Sequence, residues 1–133
     1  KFIRDKILIN RNDKNLIYEN FPRDHFLSIL KNCKAIVGNS SCGIIEAPTF
    51  NIPCVNIGRR QMNRYQGKNV INVKNVSKKN IILSVKKALS DNFTNNLKNF
   101  DNPYGHGNSA KKIIKHLQEM KDKSNLLKKT LTY

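Results

Sequence analysis

Short apolar runs alternate with helical stripes along most of the chain. A continuous apolar run of four or five residues between turn residues is typical of a strand in a parallel sheet. AIVG, which comes directly before a Gly-Asn-Ser-Ser turn, is expected to be buried on both faces. The four predicted strands are NLIYE, AIVG, PCVNIG and NVINV, at residues 15–19, 35–38, 53–58 and 69–73.

Three helices are predicted from apolar residues that recur at helical spacing. The first opens near Pro22, the second is capped by Ser77 and the third is capped by Ser109. Their stripes are formed by Phe26, Ile29, Leu30 and Cys33; by Ile81, Ile82, Val85, Ala88 and Leu89; and by Ala110, Ile113, Ile114 and Leu117.

Strands that alternate with helices predict an α/β fold with a parallel sheet and right-handed crossovers. We assign residues 1–121 to one domain and residues 122–133 to a basic C-terminal tail. The opening KFIRDKILI is typical of the interior of an amphipathic element, so we expect the chain to be a piece of a longer one. Ligands of such sheets bind beyond the carboxyl ends of the strands, which indicates the loops after Glu19, Val37 and Ile57.

The charge, the apolar runs and the cysteines of the sequence disfavour several classes of protein. The 133 residues carry a net charge of +16 and include no apolar run of the roughly 18 residues that a membrane-spanning helix needs. The lysines are scattered along the sequence and aromatic residues are not interleaved with them, which disfavours nucleic-acid binding. A basic surface could equally well bind a small anionic ligand. The three cysteines, Cys33, Cys42 and Cys54, form no CxxC pair, so we expect neither disulfides nor zinc, and a cytoplasmic location.

The segment GNSSCGIIEAPTF, residues 38–50, contains the candidate chemistry. A strand-to-helix turn of small residues that ends near Ser41 can bind phosphate through backbone N–H groups and the Ser40 and Ser41 hydroxyls. Glu46, one turn after Cys42, can accept hydrogen bonds from a ribose diol, and phosphate with ribose indicates a nucleotide. A plain serine cap and a solvated glutamate remain alternatives.

A second loop, GRRQMNR at residues 58–64, offers three arginines. Arg59, Arg60 and Arg64 can bind phosphate or a sugar carboxylate through paired hydrogen bonds. A solvated basic loop is the alternative interpretation.

The stretch GNSSCGIIEAPTFNIPCVNIGRRQ, followed by GKNVINV and NPYGHGNSAKKI, resembles the C-terminal domain of the hydrolysing UDP-N-acetylglucosamine 2-epimerases of sialic acid biosynthesis. The similarity runs from about residue 15 to residue 117. It implies a Rossmann-like domain that forms the C-terminal half of a GT-B-like two-domain fold. It also implies a reaction in which UDP is eliminated and a glycal-like intermediate is hydrated, so that UDP and the 2-epimeric sugar, such as N-acetylmannosamine, are released.

The resemblance also implies the site. Ser40 and Ser41 would contact the diphosphate, Glu46 the ribose, Arg60 the nucleotide or phosphate, and Phe21 the uracil. The whole implied nucleotide site is Phe21, Ser40, Ser41, Cys42, Gly43, Glu46 and Arg60, with no cofactor and no metal.

The resemblance is incomplete at three positions. Asn63 stands where the family has glycine, His106 stands where it has aspartate, and Arg59 is an additional charge. These differences bear on the sugar that is used, which the sequence leaves open.

The catalytic acid and base are expected in the absent N-terminal domain, so the fragment alone should be inactive and the full-length protein a homo-oligomer. His25, His106 and His116 are expected to be surface or loop residues. Two alternatives are the nucleotide-sugar half of a GT-B glycosyltransferase and a basic nucleic-acid-binding module.

Overall fold

The structure, a computed structural model, describes residues 2–9 and 14–120. The chain divides after Cys33 into two compact units, which are described separately. The predicted tail at residues 122–133 lies outside the described residues, and the domain boundary at residue 121 stays a prediction.

The first unit contains the helices α1, Phe2–Ile9, and α2, Arg23–Asn32. Helix α2 is the predicted one: Pro22 occupies the N-cap position, where its missing N–H costs no helical hydrogen bond, and its carbonyl accepts from the Phe26 N–H at 3.0 Å. The predicted strand at residues 15–19 is wrong, because this segment has no regular secondary structure. Its Leu16 side chain is 79% exposed, and β propensity without a partner strand does not form a ladder.

The second unit is built on a parallel sheet of three strands in the order β1-β2-β3 among the described residues. The strands are β1, Ile36–Gly38; β2, Cys54–Ile57; and β3, Val70–Val73. Their register pairs Val37 with Val55 and Val55 with Ile71. The second, third and fourth predicted strands are thereby confirmed, as is the α/β, Rossmann-like fold class.

One face of the sheet packs against helix α4, Lys78–Ala88. Val55 and Val73 form a buried cluster there with Ala88 of the helix. Because α4 covers mainly β2 and β3, Val37 of β1 on the same face is 48% exposed. The expectation that AIVG is buried on both faces is therefore wrong.

The helix caps were partly predictable. The Ser77 side chain accepts from the Asn80 N–H at 3.2 Å, as predicted for the start of α4. A short helix that was not predicted, α5, Asp91–Asn95, is capped in the same way by Ser90. The last helix, α6, is Ser109–Glu119, but its N-cap residue is Asn108 and not Ser109.

The last helix is exposed on all its faces. Helix α6 has no buried residue, so its apolar stripe is exposed in the described structure. No helix among the described residues is both long enough and apolar enough to cross a bilayer.

Candidate functional site

The loop after β1 runs from Gly38 into α3, Cys42–Ile45, at the carboxyl edge of the sheet. Gly38 has φ +151°, a conformation that glycine adopts without strain. Ser40 is exposed, and its Oγ accepts from the Cys42 N–H at 3.4 Å. Ser41 occupies the N-cap position, but its hydroxyl makes no capping hydrogen bond to the helix. The predicted strand-to-helix turn is therefore present, and Ser40 rather than Ser41 provides its side-chain hydrogen bond.

Helix α3 is only four residues long. It continues into a 3₁₀ helix, Ala47–Phe50, in which Pro48 is one of the first two residues, where its missing N–H costs no helical hydrogen bond. Glu46 lies at the junction and is half-buried, one turn after Cys42, whose carbonyl accepts from the Glu46 N–H at 3.0 Å. A single turn of α-helix has only a small dipole, so the donors that this segment can offer to a ligand are mainly the loop N–H groups and the serine hydroxyls.

Gly43 has a packing role that the sequence did not indicate. A Cβ at this position would collide with the Cys54 Sγ and would lie 3.3 Å from Cγ2 of Ile36. The glycine therefore allows α3 to lie directly on β1 and β2. Cys42, beside it, is a half-buried free thiol.

The Cys54 thiol, 1% exposed beneath α3, resists ionisation. Burial, reinforced by the nearby Cys42, raises its pKa from 9.0 to about 12. The neutral form is therefore the one that the fold accommodates, and Cys54 is a structural rather than a reactive cysteine.

A pH dependence of stability follows from this shift. We expect the free energy of unfolding to fall as pH rises from about 9 toward 12, because the unfolded thiol loses its proton first. The slope contributed by one such group is at most about 1.4 kcal/mol per pH unit. Urea denaturation at neutral and alkaline pH, on the wild type and on Cys54→Ala, measures it. The variant should lose less stability than the wild type, and an equal loss would contradict the assignment.

The loop after β2 is fastened to the loop after β1. Gln61 is 3% exposed, and its Nε2 donates to the Asn39 carbonyl at 2.9 Å. Arg60, the adjacent residue, is exposed. The bond therefore links the loop that contains Ser40 to the loop that contains Arg60, and brings two of the predicted site segments together.

A chain of amide side chains crosses the carboxyl edge of the sheet. Asn56 Nδ2 donates to Asn72 Oδ1 at 2.8 Å, and Asn72 Nδ2 donates to Gln66 Oε1 at 2.6 Å. Gln66 Nε2 in turn donates to the Gln61 carbonyl at 3.1 Å. The chain thus connects β2 and β3 to the loop after β2.

Two further asparagines hold the α3 segment. Asn69 is fully buried, and its Nδ2 donates to the carbonyls of Gly43 and Ile52 at 2.9 and 3.1 Å. Asn102, in the loop before α6, donates from Nδ2 to the Ile45 carbonyl at 2.9 Å and to Thr49 Oγ1 at 2.7 Å. The candidate site segment is thereby fixed from two sides.

These amides were missed by the sequence analysis. Asn56 and Asn72 stand in otherwise apolar strands and pair directly with each other in the sheet register. A polar residue inside each of two apolar runs is the signal that could have revealed them, because a buried amide such as Asn56, which is 2% exposed, is normally hydrogen-bonded.

The remaining predicted residues are described within the unit to which each belongs. Phe21 belongs to the first unit, where its ring centroid is 4.5 Å from that of Tyr18. His25, His106 and His116 are exposed, as expected. His106 Nε2 is 3.7 Å from Asp101 Oδ1 at the surface. Within residues 2–9 and 14–120, no group of three or more His, Cys, Asp or Glu side chains could hold a metal ion.

Comparison with known proteins gives one consistent family. The sequence model of the UDP-N-acetylglucosamine 2-epimerase family matches residues 3–118. The chain is 38% identical to the UDP-N-acetylglucosamine 2-epimerase of Neisseria meningitidis over 88 residues. These residues cover 66% of the chain and 23% of that protein.

Two hydrolysing relatives match as well. A UDP-N,N'-diacetylbacillosamine 2-epimerase (hydrolyzing) of Legionella pneumophila is 35% identical over 117 residues, 88% of the chain and 30% of that protein. A GDP/UDP-N,N'-diacetylbacillosamine 2-epimerase (hydrolyzing) of Campylobacter jejuni is 42% identical over 71 residues, 50% of the chain and 18% of that protein. The chain thus spans less than a third of the length of these relatives. Because the family match covers most of the chain, this protein belongs to the UDP-N-acetylglucosamine 2-epimerase family.

Proposed function

We propose that the chain is the UDP-binding C-terminal part of a hydrolysing UDP-N-acetylglucosamine, or related UDP-sugar, 2-epimerase. Family membership supports the epimerase activity, and the Legionella and Campylobacter relatives, which are named as hydrolysing 2-epimerases, support the hydrolysing type. The Rossmann-like second unit supports a GT-B-like arrangement, in which a second, N-terminal domain completes a cleft around the nucleotide.

The observation that carries the proposal is the pair of linked loops at the carboxyl edge of the sheet. The Gln61–Asn39 hydrogen bond joins the serine-containing loop to the arginine-containing loop. Ligands of open α/β sheets bind at this edge. Ser40, Ser41 and Arg60 would contact the diphosphate there, since hydroxyl and guanidinium donors suit phosphate oxygens.

The nucleoside would be bound by the remaining residues. Glu46 would accept hydrogen bonds from the two ribose hydroxyls, and Phe21 would pack against the uracil. Cys42 and Gly43 would bring the backbone close to the ligand, since small side chains leave the room for that approach.

The full-length protein would release UDP and the 2-epimeric sugar, such as N-acetylmannosamine, by elimination followed by hydration. The acid and base for these steps would come from the rest of the protein, which is proposed to act in the cytoplasm as a homo-oligomer. The 133-residue chain alone should not turn over UDP-N-acetylglucosamine. Release of a free sugar with UDP, rather than transfer to an acceptor, distinguishes this activity from that of a glycosyltransferase.

Calorimetric titration of the full-length protein tests the diphosphate contacts. The double variant Ser40→Ala/Ser41→Ala should bind UDP at least about fivefold more weakly, because hydrogen bonds to a charged phosphate are worth about 1.5–3 kcal/mol each and a loss of only about 1 kcal/mol already gives that factor. Uridine, which lacks the diphosphate, should bind the variant and the wild type alike. Ser28→Ala, at an exposed position on α2, is the matched control. Unchanged UDP affinity in the double variant would refute the diphosphate assignment.

A further inference from the structure

A cavity of about 440 Å³ lies beside the two linked loops, at the carboxyl ends of β2 and β3. Arg59 and Met62 of the β2 loop line one part of it, and Asn72 and Lys74 at the end of β3 line another. None of the residues proposed to bind UDP is among its lining residues. It is therefore a separate feature of the second unit.

The series of amide hydrogen bonds from Asn56 through Asn72 and Gln66 to the Gln61 carbonyl runs in one fixed direction along the cavity wall. A backbone carbonyl can only accept, so the Gln61 carbonyl fixes the Gln66 amide with its nitrogen toward Gln61. Gln66 Oε1 must then accept from Asn72 Nδ2, and Asn72 Oδ1 must accept from Asn56 Nδ2. A flip of any one amide would set two acceptors or two donors against each other.

The direction of these hydrogen bonds decides which donors and acceptors of Gln66 and Asn72 remain for a ligand. Each oxygen of Gln66 and Asn72 accepts one hydrogen bond and keeps one lone pair, and each nitrogen keeps one N–H that these hydrogen bonds do not use. Arg59 and Lys74 add cationic donors, and no lining residue is acidic. The wall is therefore rich in donors, and its complement is an anion with several acceptor oxygens.

The size of the cavity and its apolar lining indicate that the ligand is larger than its anionic group alone. A cavity of about 440 Å³ is much larger than a phosphate or carboxylate group requires. The Met62 side chain, which is 67% exposed, supplies apolar surface against which the carbon frame of a ring can pack.

We infer that this cavity is a second ligand site, which binds a sugar-sized molecule that carries a phosphate or carboxylate group. The molecule binds independently of UDP, with its anionic group at Arg59 and Lys74 and its acceptor oxygens toward Gln66 and Asn72. The site does not depend on the proposed epimerase activity.

Calorimetry on the full-length protein tests this with three probes: glucose 6-phosphate, glucuronate and uncharged glucose. The wild type should bind at least one of the two anions and should not bind glucose. The double variant Arg59→Gln/Lys74→Gln should weaken that anion at least about fivefold, which corresponds to about 1 kcal/mol. Binding of the phosphate alone assigns the site to phosphate esters, and binding of the carboxylate alone assigns it to sugar acids.

The matched control is Lys86→Gln/Lys98→Gln, which removes the same charge at exposed positions outside the cavity. Equal losses in both double variants would mean that only net charge matters and would overturn the proposal. So would the absence of anion binding, or displacement of the anion by UDP. A UDP titration of Lys74→Gln, which leaves the arginine-containing loop intact, is expected to be unchanged and separates failure of this site from failure of the nucleotide site.

Discussion

Asn69→Leu is expected to lower the free energy of unfolding by about 3 kcal/mol, since each buried carbonyl left without a donor costs about 1–3 kcal/mol. Asn69 is fully buried, and its amide nitrogen is the donor to the carbonyls of Gly43 and Ile52. Leucine has a similar volume but no donor, so both carbonyls lose a partner at once. Part of the cost is offset, because the buried Oδ1 of Asn69, which has no hydrogen-bond partner, is removed as well.

Urea denaturation of the wild type and the variant measures this effect. Asn99→Leu makes the same exchange at an exposed turn position and should change the stability by less than about 0.5 kcal/mol. If Asn69→Leu were no more harmful than Asn99→Leu, Asn69 would not be what holds α3 against the sheet.

The secondary structure of the second unit was largely predictable because local chemistry and tertiary structure agree there. Ser77 caps α4 as its side chain predicts, and PCVNIG and NVINV pair as strands β2 and β3. At residues 15–19, in the first unit, local chemistry and tertiary structure disagree. The composition favours a strand, but the segment has no partner strand among the described residues. Strand formation depends on pairing that a local pattern does not contain.

The candidate site was predictable to the level of its loops but not of its supports. The small residues at 38–41 and the proline at 48 indicate a turn and a short helix. Gln61, Asn69 and Asn102 act through contacts 17 to 57 residues away in sequence, which no local pattern reveals. Gly43 is predicted as a ligand contact, and its second role, which is to let α3 pack against Cys54, depends on a residue that no local pattern places next to it.

Glu46→Ala is expected to weaken the binding of UDP to the full-length protein at least about tenfold. A carboxylate that accepts hydrogen bonds from both ribose hydroxyls makes two charge-assisted contacts, each worth about 1.5–3 kcal/mol. Loss of as little as 1.4 kcal/mol reduces the affinity by one decade. If this region bound only phosphate, the variant would bind UDP unchanged or better, because a negative charge near the phosphate would be gone.

Ribose binding by Glu46 is tested most directly by calorimetric titration with UDP and with 2′,3′-dideoxy-UDP. The titrations are made on the wild type, on Glu46→Ala and on the control Glu119→Ala. Glu119 lies at the end of α6, where Lys115 Nζ is 3.7 Å from its carboxylate, so the control makes the same charge change at the surface. We expect Glu46→Ala to lose at least about tenfold in affinity for UDP and far less for the dideoxy ligand, which has no diol to lose. Equal losses for the two ligands, or no loss for UDP, would contradict the proposal that this segment binds the ribose of a uridine nucleotide.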